Sequence, residues 1–310
     1  MKKKISVVTP CFNEESNIET VYQEVRKIFA ELGTFKYEHI FIDNDSKDRT
    51  PEILRKLAAG DRNVKVILNA RNFGHIRSPF YGLLQATGDA AILMVADLQD
   101  PPYLIKEFVK KWQEGFKVVI GIKEQSEESP PMFMVRRMYY GLINRLSDTE
   151  LVKNFTGFGL YDKKILDVLR DLHDPYPYFR GLISEVGFGQ FRIPYRQPSR
   201  KRGLTKNNFY TLYDMAMLGI TSHSKIPLRL ATMLGFVTSF LSLVVAFVYL
   251  VYKLIFWNSF SLGIAPMVIG VFFFGSVQLF FIGIIGEYIG TIYTQVLKRP
   301  LVVEKERINF

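Results

Sequence analysis

Up to about Gly121 the chain alternates short β-rich apolar runs with longer stretches of helical periodicity, and this alternation limits its folds more than any other feature. Ile5 to Thr9, Glu38 to Ile42, Val64 to Leu68, Ala91 to Val95 and Val118 to Gly121 read as strands. Asn17 to Leu32, Pro51 to Ala59, Ile76 to Ala86 and Tyr103 to Gly115 read as the helices between them. Such a βαβ series predicts an α/β fold with a mostly parallel sheet covered on both faces. Ligands of such sheets bind beyond the carboxyl ends of the strands. The polar clusters there are therefore the place to look for a site.

Three strands end in such clusters. The first leads into Pro10, Phe12, Asn13 and Glu14, the second into Asp43, Asn44, Asp45, Ser46 and Asp48, and the third into Asn69, Arg71 and Asn72. Loops sharing one rim can hold a nucleotide, with carboxylates on ribose or base and Arg71 near phosphate. Each is also a helix cap or turn when taken singly, and for Asp48, ahead of Thr50-Pro51, capping is the better reading. The fourth strand runs into Asp97-Leu98-Gln99-Asp100-Pro101-Pro102. Oxygen ligands such as Asp97 and Gln99 suit a hard divalent cation, Mg²⁺ or Mn²⁺, whose natural partner is a diphosphate. The plainer alternative is an Asp-rich turn closed by two prolines. Neither G-x-G-x-x-G nor a Walker loop occurs, so a nicotinamide cofactor and ATP hydrolysis have no support.

The last third changes solvent. Leu228 to Tyr252 carries only Arg229 as a charge, and Leu262 to Ile285 carries none. Each run approaches the roughly 20 residues needed to cross a hydrocarbon core of about 30 Å. The expectation is a two-helix transmembrane hairpin within 228–290, preceded by a cytoplasmic α/β domain over 1–227 and followed by a cytoplasmic tail at 291–310. Lys225 and Arg229 lie before the first span and Lys298, Arg299 and Lys305 after the second, while Phe256 to Gly263 has neither Lys nor Arg. The positive-inside rule then places both termini in the cytoplasm of an inner-membrane protein. Met1 to Lys4 runs into an apolar segment too short for a signal-peptide core, which reads as a first strand. The single Cys11 permits no internal disulfide and is a weak candidate nucleophile.

The chain has 40 Lys and Arg against 30 Asp and Glu, a formal net charge of +10. That excess is spread rather than clustered and accompanies no nucleic-acid motif, so an anionic leaflet is the expected partner and nucleic acid is not. Amphipathic patterns near 131–146, with Arg136 and Arg137, and near 208–222 predict helices lying at the membrane surface. Ordinary packing helices are the alternative for both. Gly286 and Gly290 have the spacing of a helix-packing motif with Glu287 between them, and association of hairpins into homo-oligomers is an open possibility. His75 and His223 read as packing or surface histidines.

These clusters, in this order, resemble the family 2 glycosyltransferases: Pro10-Cys11-Phe12-Asn13-Glu14, Phe41 to Asp48, Arg71-Asn72-Phe73-Gly74, Gly88-Asp89 and Asp97 to Pro102. Arg180-Gly181, Arg200 to Lys206 and Gly286 to Gly290 look like the polyprenyl-phosphate branch, which includes dolichol-phosphate mannose synthase and bacterial undecaprenyl-phosphate glucosyltransferases. The resemblance implies a nucleotide-diphospho-sugar domain of the GT-A type, a nucleotide sugar as donor and polyprenyl phosphate as acceptor. It implies metal ligation by Asp97 and Gln99, with Asp100 a further candidate. Pro10, Phe12, Glu14, Asp43, Asn44 and Arg71 become the nucleotide contacts. Arg200 or Arg202, with Lys206 nearby, would neutralise the leaving group from a segment hinged at Gly203. Arg136 and Arg137 would meet the lipid phosphate. UDP-glucose is the first choice of donor, ahead of GDP-mannose and UDP-N-acetylglucosamine.

Three positions depart from the family pattern. Val95 stands where a first aspartate is common, Asp43-Asn44-Asp45-Ser46 replaces Asp-Asp-Gly-Ser, and Gly157 and Gly159 stand where many relatives carry Asp and Arg. A phosphate acceptor removes the need for a general base, because its second pKa of about 6 leaves it largely dianionic. Two further readings share parts of this pattern. A processive polysaccharide synthase would carry Gln-x-x-Arg-Trp and more spans, whereas Gln197-Pro198-Ser199-Arg200 is followed by Lys201. A catalytically inactive scaffold would bind nucleotide sugar without metal-dependent turnover. No pair of carboxylates is indicated for a glycosidase.

Overall fold

In the computed structural model, residues 2–124, 152–198, 217–218, 221, 224–256 and 264–310 are described. The predicted alternation is present as β1 (Lys4–Cys11), α1 (Ile18–Leu32), β2 (Lys36–Asp43), α2 (Thr50–Gly60), β3 (Val64–Asn69), α3 (Gly74–Leu84), β4 (Ala90–Leu93) and α4 (Leu104–Gln113). Then come β5 (Val118–Lys123), β6 (Phe155–Asp162), α5 (Lys163–Asp171), α6 (Phe179–Glu185) and β7 (Gln190–Tyr195). Two long helices, α7 (Ile226–Ile255) and α8 (Ile264–Val296), precede a last strand, β8 (Glu304–Ile308).

The strands form one sheet in the order β7-β5-β6-β4-β1-β2-β3-β8. β1, β2, β3 and β4 are parallel, with β2 and β4 on opposite sides of β1. The winding direction reverses between β1 and β4, and their carboxyl ends open a crevice there. Side-chain alternation divides the core into two layers. Ile5, Val7 and Phe41 pack with α1, α2 and α4, whereas Val8, Ile40, Ile42 and Ile67 pack with α3, α5 and α6.

Two features depart from a simple parallel series. β6 inserts antiparallel between β4 and β5, so β5 is not the neighbour of β4. At the other edge the tail returns to the sheet, and β8 pairs antiparallel with β3, Val66 opposite Ile308. Arg55 donates to Glu306 (2.7 Å), Tyr81 to Glu304 (2.8 Å), and the Asn309 amide to the carbonyls of Ala58 and Val64 (2.7 and 2.9 Å). The strand after the long helices thus lies in the same sheet as the first strand of the chain.

Many described apolar side chains of α7 and α8 are exposed, among them Phe236, Phe240, Phe272 and Leu279. Among the described residues, Gly270–Val296 is the one helical stretch long and apolar enough to cross a membrane, and the apolar part of α7, Ile226–Ser242, is shorter. The expectation of two such spans is therefore met by one qualifying stretch. The surface helices expected near 131–146 and 208–222 fall outside the described residues, apart from 217, 218 and 221.

Candidate active site

The loops after β1 and β2 are stitched together by the polar residues that mark them in the sequence. Asn13 takes a left-handed backbone (φ 57°), its N–H donates to Ser46 Oγ (2.8 Å) and its Oδ1 accepts from Lys47 N (2.8 Å). Glu14 N donates to Thr50 Oγ1 (2.9 Å). Asp48, one residue ahead of the N-cap Arg49, accepts from Thr50 N (3.0 Å) at the start of α2 and from Glu15 N (3.2 Å). Asp43 lies buried beneath this loop, where it accepts from Ser46 N and Ser46 Oγ, and burial raises its pKa.

Asn44 is saturated by the next loop. Its amide donates to Asn72 Oδ1 (2.9 Å) and the Gly74 carbonyl (3.1 Å), and its oxygen accepts from Asn69 Nδ2 (3.1 Å) and Phe73 N (2.9 Å). One side chain just after β2 therefore ties down the β3–α3 connection from Asn69 to Gly74. Arg71 leaves that loop outward, stacking on Phe73 at 4.0 Å and donating to the Asn72 carbonyl.

Beyond β4 the backbone reverses at Leu98 (φ 58°), and Gln99 N donates to Asp97 Oδ1 (3.1 Å). This turn sends the Asp97 and Gln99 side chains into one cleft. Asp100 anchors it from below, accepting from Val95 N (3.3 Å) and from the Tyr195 hydroxyl on β7 (3.1 Å). Burial, aided by Asp97, raises the Asp100 pKa to about 7, while Val95 N, Tyr195 and Lys123 act in the opposite direction.

The crevice has two lobes. An outer lobe of about 380 Å³ is lined by Phe12, Glu14, Asn44, Asn72 and Gly74. An inner lobe of about 280 Å³ is lined by Gln99, Asp100, Lys123, Thr156, Gly157, Tyr178, Phe179 and Arg180. Pro10, His75, Pro79, Val95 and Asp97 border both, so the Asp97 carboxylate stands at their junction. Desolvation and the Arg180 charge lower the pKa of His75 at this rim, which favours the neutral ring.

Of the expected nucleotide contacts, Pro10, Phe12, Glu14 and Asn44 line the outer lobe; Asp43 and Arg71 are not among its lining residues. Arg136, Arg137, Arg200, Arg202 and Lys206 lie outside the described residues. His75, which the sequence suggests is a packing or surface histidine, borders both lobes, and Arg180, marked in the sequence by its place beside Gly181 in the polyprenyl-phosphate pattern, lines the inner one. Lys123, Thr156 and Tyr178 line the inner lobe without being marked as site residues in the sequence.

The family model for glycosyl transferase family 2 matches residues 6–170. The SfII prophage-derived bactoprenol glucosyl transferase of Shigella flexneri is 35% identical over 306 residues, covering 98% of each chain. The chain belongs to the family 2 glycosyltransferases. Its relatives lie in the polyprenyl-phosphate branch. They include a prophage bactoprenol glucosyl transferase homolog of Escherichia coli K12, 34% identical over 97% of this chain and 98% of that one. An uncharacterized glycosyltransferase of Bacillus subtilis, YkcC, is 36% identical over 96% of this chain and 92% of that one. Among solved structures, glucosyl-3-phosphoglycerate synthase from Mycobacterium tuberculosis, in complex with Mn²⁺, UDP and phosphoglyceric acid, superposes with a TM-score of 0.51. It shares 21% identity and covers 71% of this chain and 76% of that one, a likeness of GT-A fold.

The glycines that depart from the glycosyltransferase pattern are built into this backbone. Gly157 has φ +104°, a conformation that other residues rarely adopt, and its carbonyl accepts from the Tyr161 hydroxyl (2.7 Å). A Cβ on Gly159 would lie 2.5 Å from the Val119 carbonyl oxygen, so no arginine fits there without moving β5. Among the described residues no cluster of three or more His, Cys, Asp or Glu side chains is gathered for a metal. The Asp97 carboxylate at the lobe junction and the Gln99 amide oxygen in the inner lobe still suit Mg²⁺ or Mn²⁺, which take one or two carboxylates together with substrate phosphates.

Proposed function

We propose that this enzyme transfers glucose from UDP-glucose to polyprenyl phosphate at the cytoplasmic leaflet of the inner membrane, with inversion and with Mg²⁺ or Mn²⁺. The near full-length relation to bactoprenol glucosyl transferases carries this reading, because it spans both the catalytic sheet and the C-terminal helices. The two-lobed cleft suits it. The nucleotide occupies the outer lobe against Phe12, Glu14 and Asn44, and the sugar reaches past Asp97 into the inner lobe.

A phosphate oxygen of the lipid attacks the anomeric carbon as the bond from that carbon to the diphosphate oxygen breaks, and the electron pair leaves with UDP. One displacement inverts the centre. The acceptor arrives as a dianion, so the site needs no proton acceptor where Gly157 replaces a carboxylate. Asp97 and Gln99 would hold the metal, which supplies positive charge to the departing diphosphate. Arg200 and Arg202 add positive charge to the leaving group, and Arg136 and Arg137 to the acceptor phosphate.

Chain parity supports a two-crossing arrangement. β8 follows α8 and pairs with β3 in the catalytic sheet, so a single crossing would separate two hydrogen-bonded strands by a bilayer. If Gly270–Val296 crosses, α7 supplies the return. The catalytic domain of 1–227, the hairpin of 228–290 and the tail of 291–310 then keep both termini on one side, which the Lys and Arg flanking the spans favour as cytoplasmic.

The test is a panel of labelled nucleotide sugars with undecaprenyl phosphate in detergent, with Mg²⁺, Mn²⁺ or EDTA. Metal-dependent label entering the lipid phase from UDP-glucose is expected. UDP-glucose binding without transfer, under every metal condition, would instead indicate a scaffold.

A further inference from the structure

The inner lobe poses an electrostatic problem. It holds the carboxyl groups of Asp97 and Asp100, and the reaction brings two anions, a sugar diphosphate and a phosphate dianion, into the same cleft. Several described cations elsewhere pair with carboxylates, Arg55 with Glu306, Lys106 with Glu31, Arg170 with Asp167 and Arg307 with Glu304. Arg180 is set apart by its place in the lobe. It is half-buried at the second position of α6, it lines the inner lobe, and among the described residues no carboxylate forms an ion pair with its guanidinium.

The wall that carries Arg180 is also the one joined to the C-terminal helices. Asp174 Oδ1 accepts from Tyr176 N (2.9 Å) and from Gln295 Nε2 of α8 (2.9 Å). Tyr176 borders a groove of about 510 Å³ along α8, beside Gly286, Gly290 and Thr291, and two residues later Tyr178 lines the inner lobe. The segment 174–180 therefore runs directly from α8 to Arg180. The nucleotide lobe opens on the other side of Asp97, at Phe12 and Asn44.

We propose that Arg180 receives the phosphate of the acceptor lipid, holding it on the helix-side wall of the inner lobe opposite the donor; this rests on the polyprenyl-phosphate reading above. A guanidinium suits the role, because it pairs with two phosphate oxygens at once and stays charged throughout the reaction. It leaves the third oxygen to attack across the lobe. The donor touches the Asp97 side, so Arg180 discriminates between the two anions by position.

The experiment measures KM separately for undecaprenyl phosphate and for UDP-glucose with the full chain in detergent micelles, comparing wild type, Arg180→Ala and Arg180→Lys. Loss of a charge-assisted pair predicts an acceptor KM raised about 10- to 100-fold in Arg180→Ala, a UDP-glucose KM changed less than about twofold, and partial recovery in Arg180→Lys. UDP binding by titration calorimetry reports whether each variant keeps its donor site. An unchanged acceptor KM, or a rise confined to the donor KM, overturns the assignment of Arg180 and leaves the function standing. Calorimetry showing UDP binding lost in both variants also overturns it, since Arg180 would then support the donor lobe or the fold. Wild-type enzyme that transfers nothing to undecaprenyl phosphate overturns the function itself.

Discussion

Replacing Asn44 by aspartate, the residue usual at this position in the family, should damage this enzyme, and the geometry sets the size of the effect. The Asn44 oxygen accepts from Asn69 Nδ2 and Phe73 N, and a carboxylate would keep both bonds. Its NH₂ group donates to Asn72 Oδ1 and the Gly74 carbonyl, and a carboxylate would set an anion against those two acceptors instead. Flipping the Asn72 amide would restore one bond but lose the one that Gly74 N donates to Asn72 Oδ1 (2.8 Å). Two lost bonds at about 1 kcal/mol each, with one acceptor left facing a carboxylate, make about 2–4 kcal/mol. That energy falls on the β3–α3 loop, whose Asn72, Gly74 and His75 line the outer lobe. Hydrogen exchange at Phe73 and Gly74 should accelerate by about 30-fold or more, and KM for UDP-glucose should rise by about tenfold or more, with kcat less affected. Unchanged exchange together with an unchanged KM would refute the view that Asn44 acts by clamping this loop.

Two other expectations concern stability and topology. Glu38, buried and paired with Lys4 (2.5 Å) and Lys65 (2.8 Å), has its pKa held at about 2 against an ordinary 4.5; burial alone would raise it, and the hydrogen bonds from Lys4, Lys65, Ser6 and Thr87 outweigh that. Its contribution is therefore present above pH 4.5 and lost as pH falls toward 2. With Lys4 partly exposed and screened, Glu38→Gln should cost about 2 kcal/mol at pH 7, and the wild-type and variant denaturation curves should converge near pH 2; a gap independent of pH would refute the pairing. A cysteine introduced at position 259, between α7 and α8, should react with a membrane-impermeant maleimide from outside spheroplasts, while one at the C-terminus should not. Labelling of both positions, or of neither, would contradict the two-crossing arrangement.

The first half of the fold was legible because its strands are continuous apolar runs and its helices carry a clear 3.6-residue pattern. The later strands were not, for reasons visible in each. β6 contains Thr156, Gly157 and Gly159, which weaken any strand pattern, and needs β4 and β5 on either side to be held. β7 contains Pro194, and β8 reads Glu-Lys-Glu-Arg-Ile, a charged edge that pairs with a partner more than two hundred residues earlier. The site divides in the same way. Asp97 and Gln99 follow directly from a strand end, but the roles of Asp43 and Asn44 depend on which groups meet them. Asp43 serves its own loop through Ser46, and Asn44 serves the next loop. The wall from Tyr178 to Arg180 enters the cleft only because α6 packs against the face of the sheet that also carries α3. Local sequence does not encode that placement.

If the turn after β4 is the centre of glycosyl transfer, as proposed, comparing Asp97→Ala with wild type will show it. Labelled glucose from UDP-glucose is followed into undecaprenyl phosphate in Mg²⁺. Asp97 borders both lobes and accepts from Gln99 N within its own turn, and UDP binding by calorimetry reports whether the variant folds. Removing a metal-ligating carboxylate predicts a loss of transfer of about 100-fold or more. Transfer within a few-fold of wild type would place the reaction elsewhere.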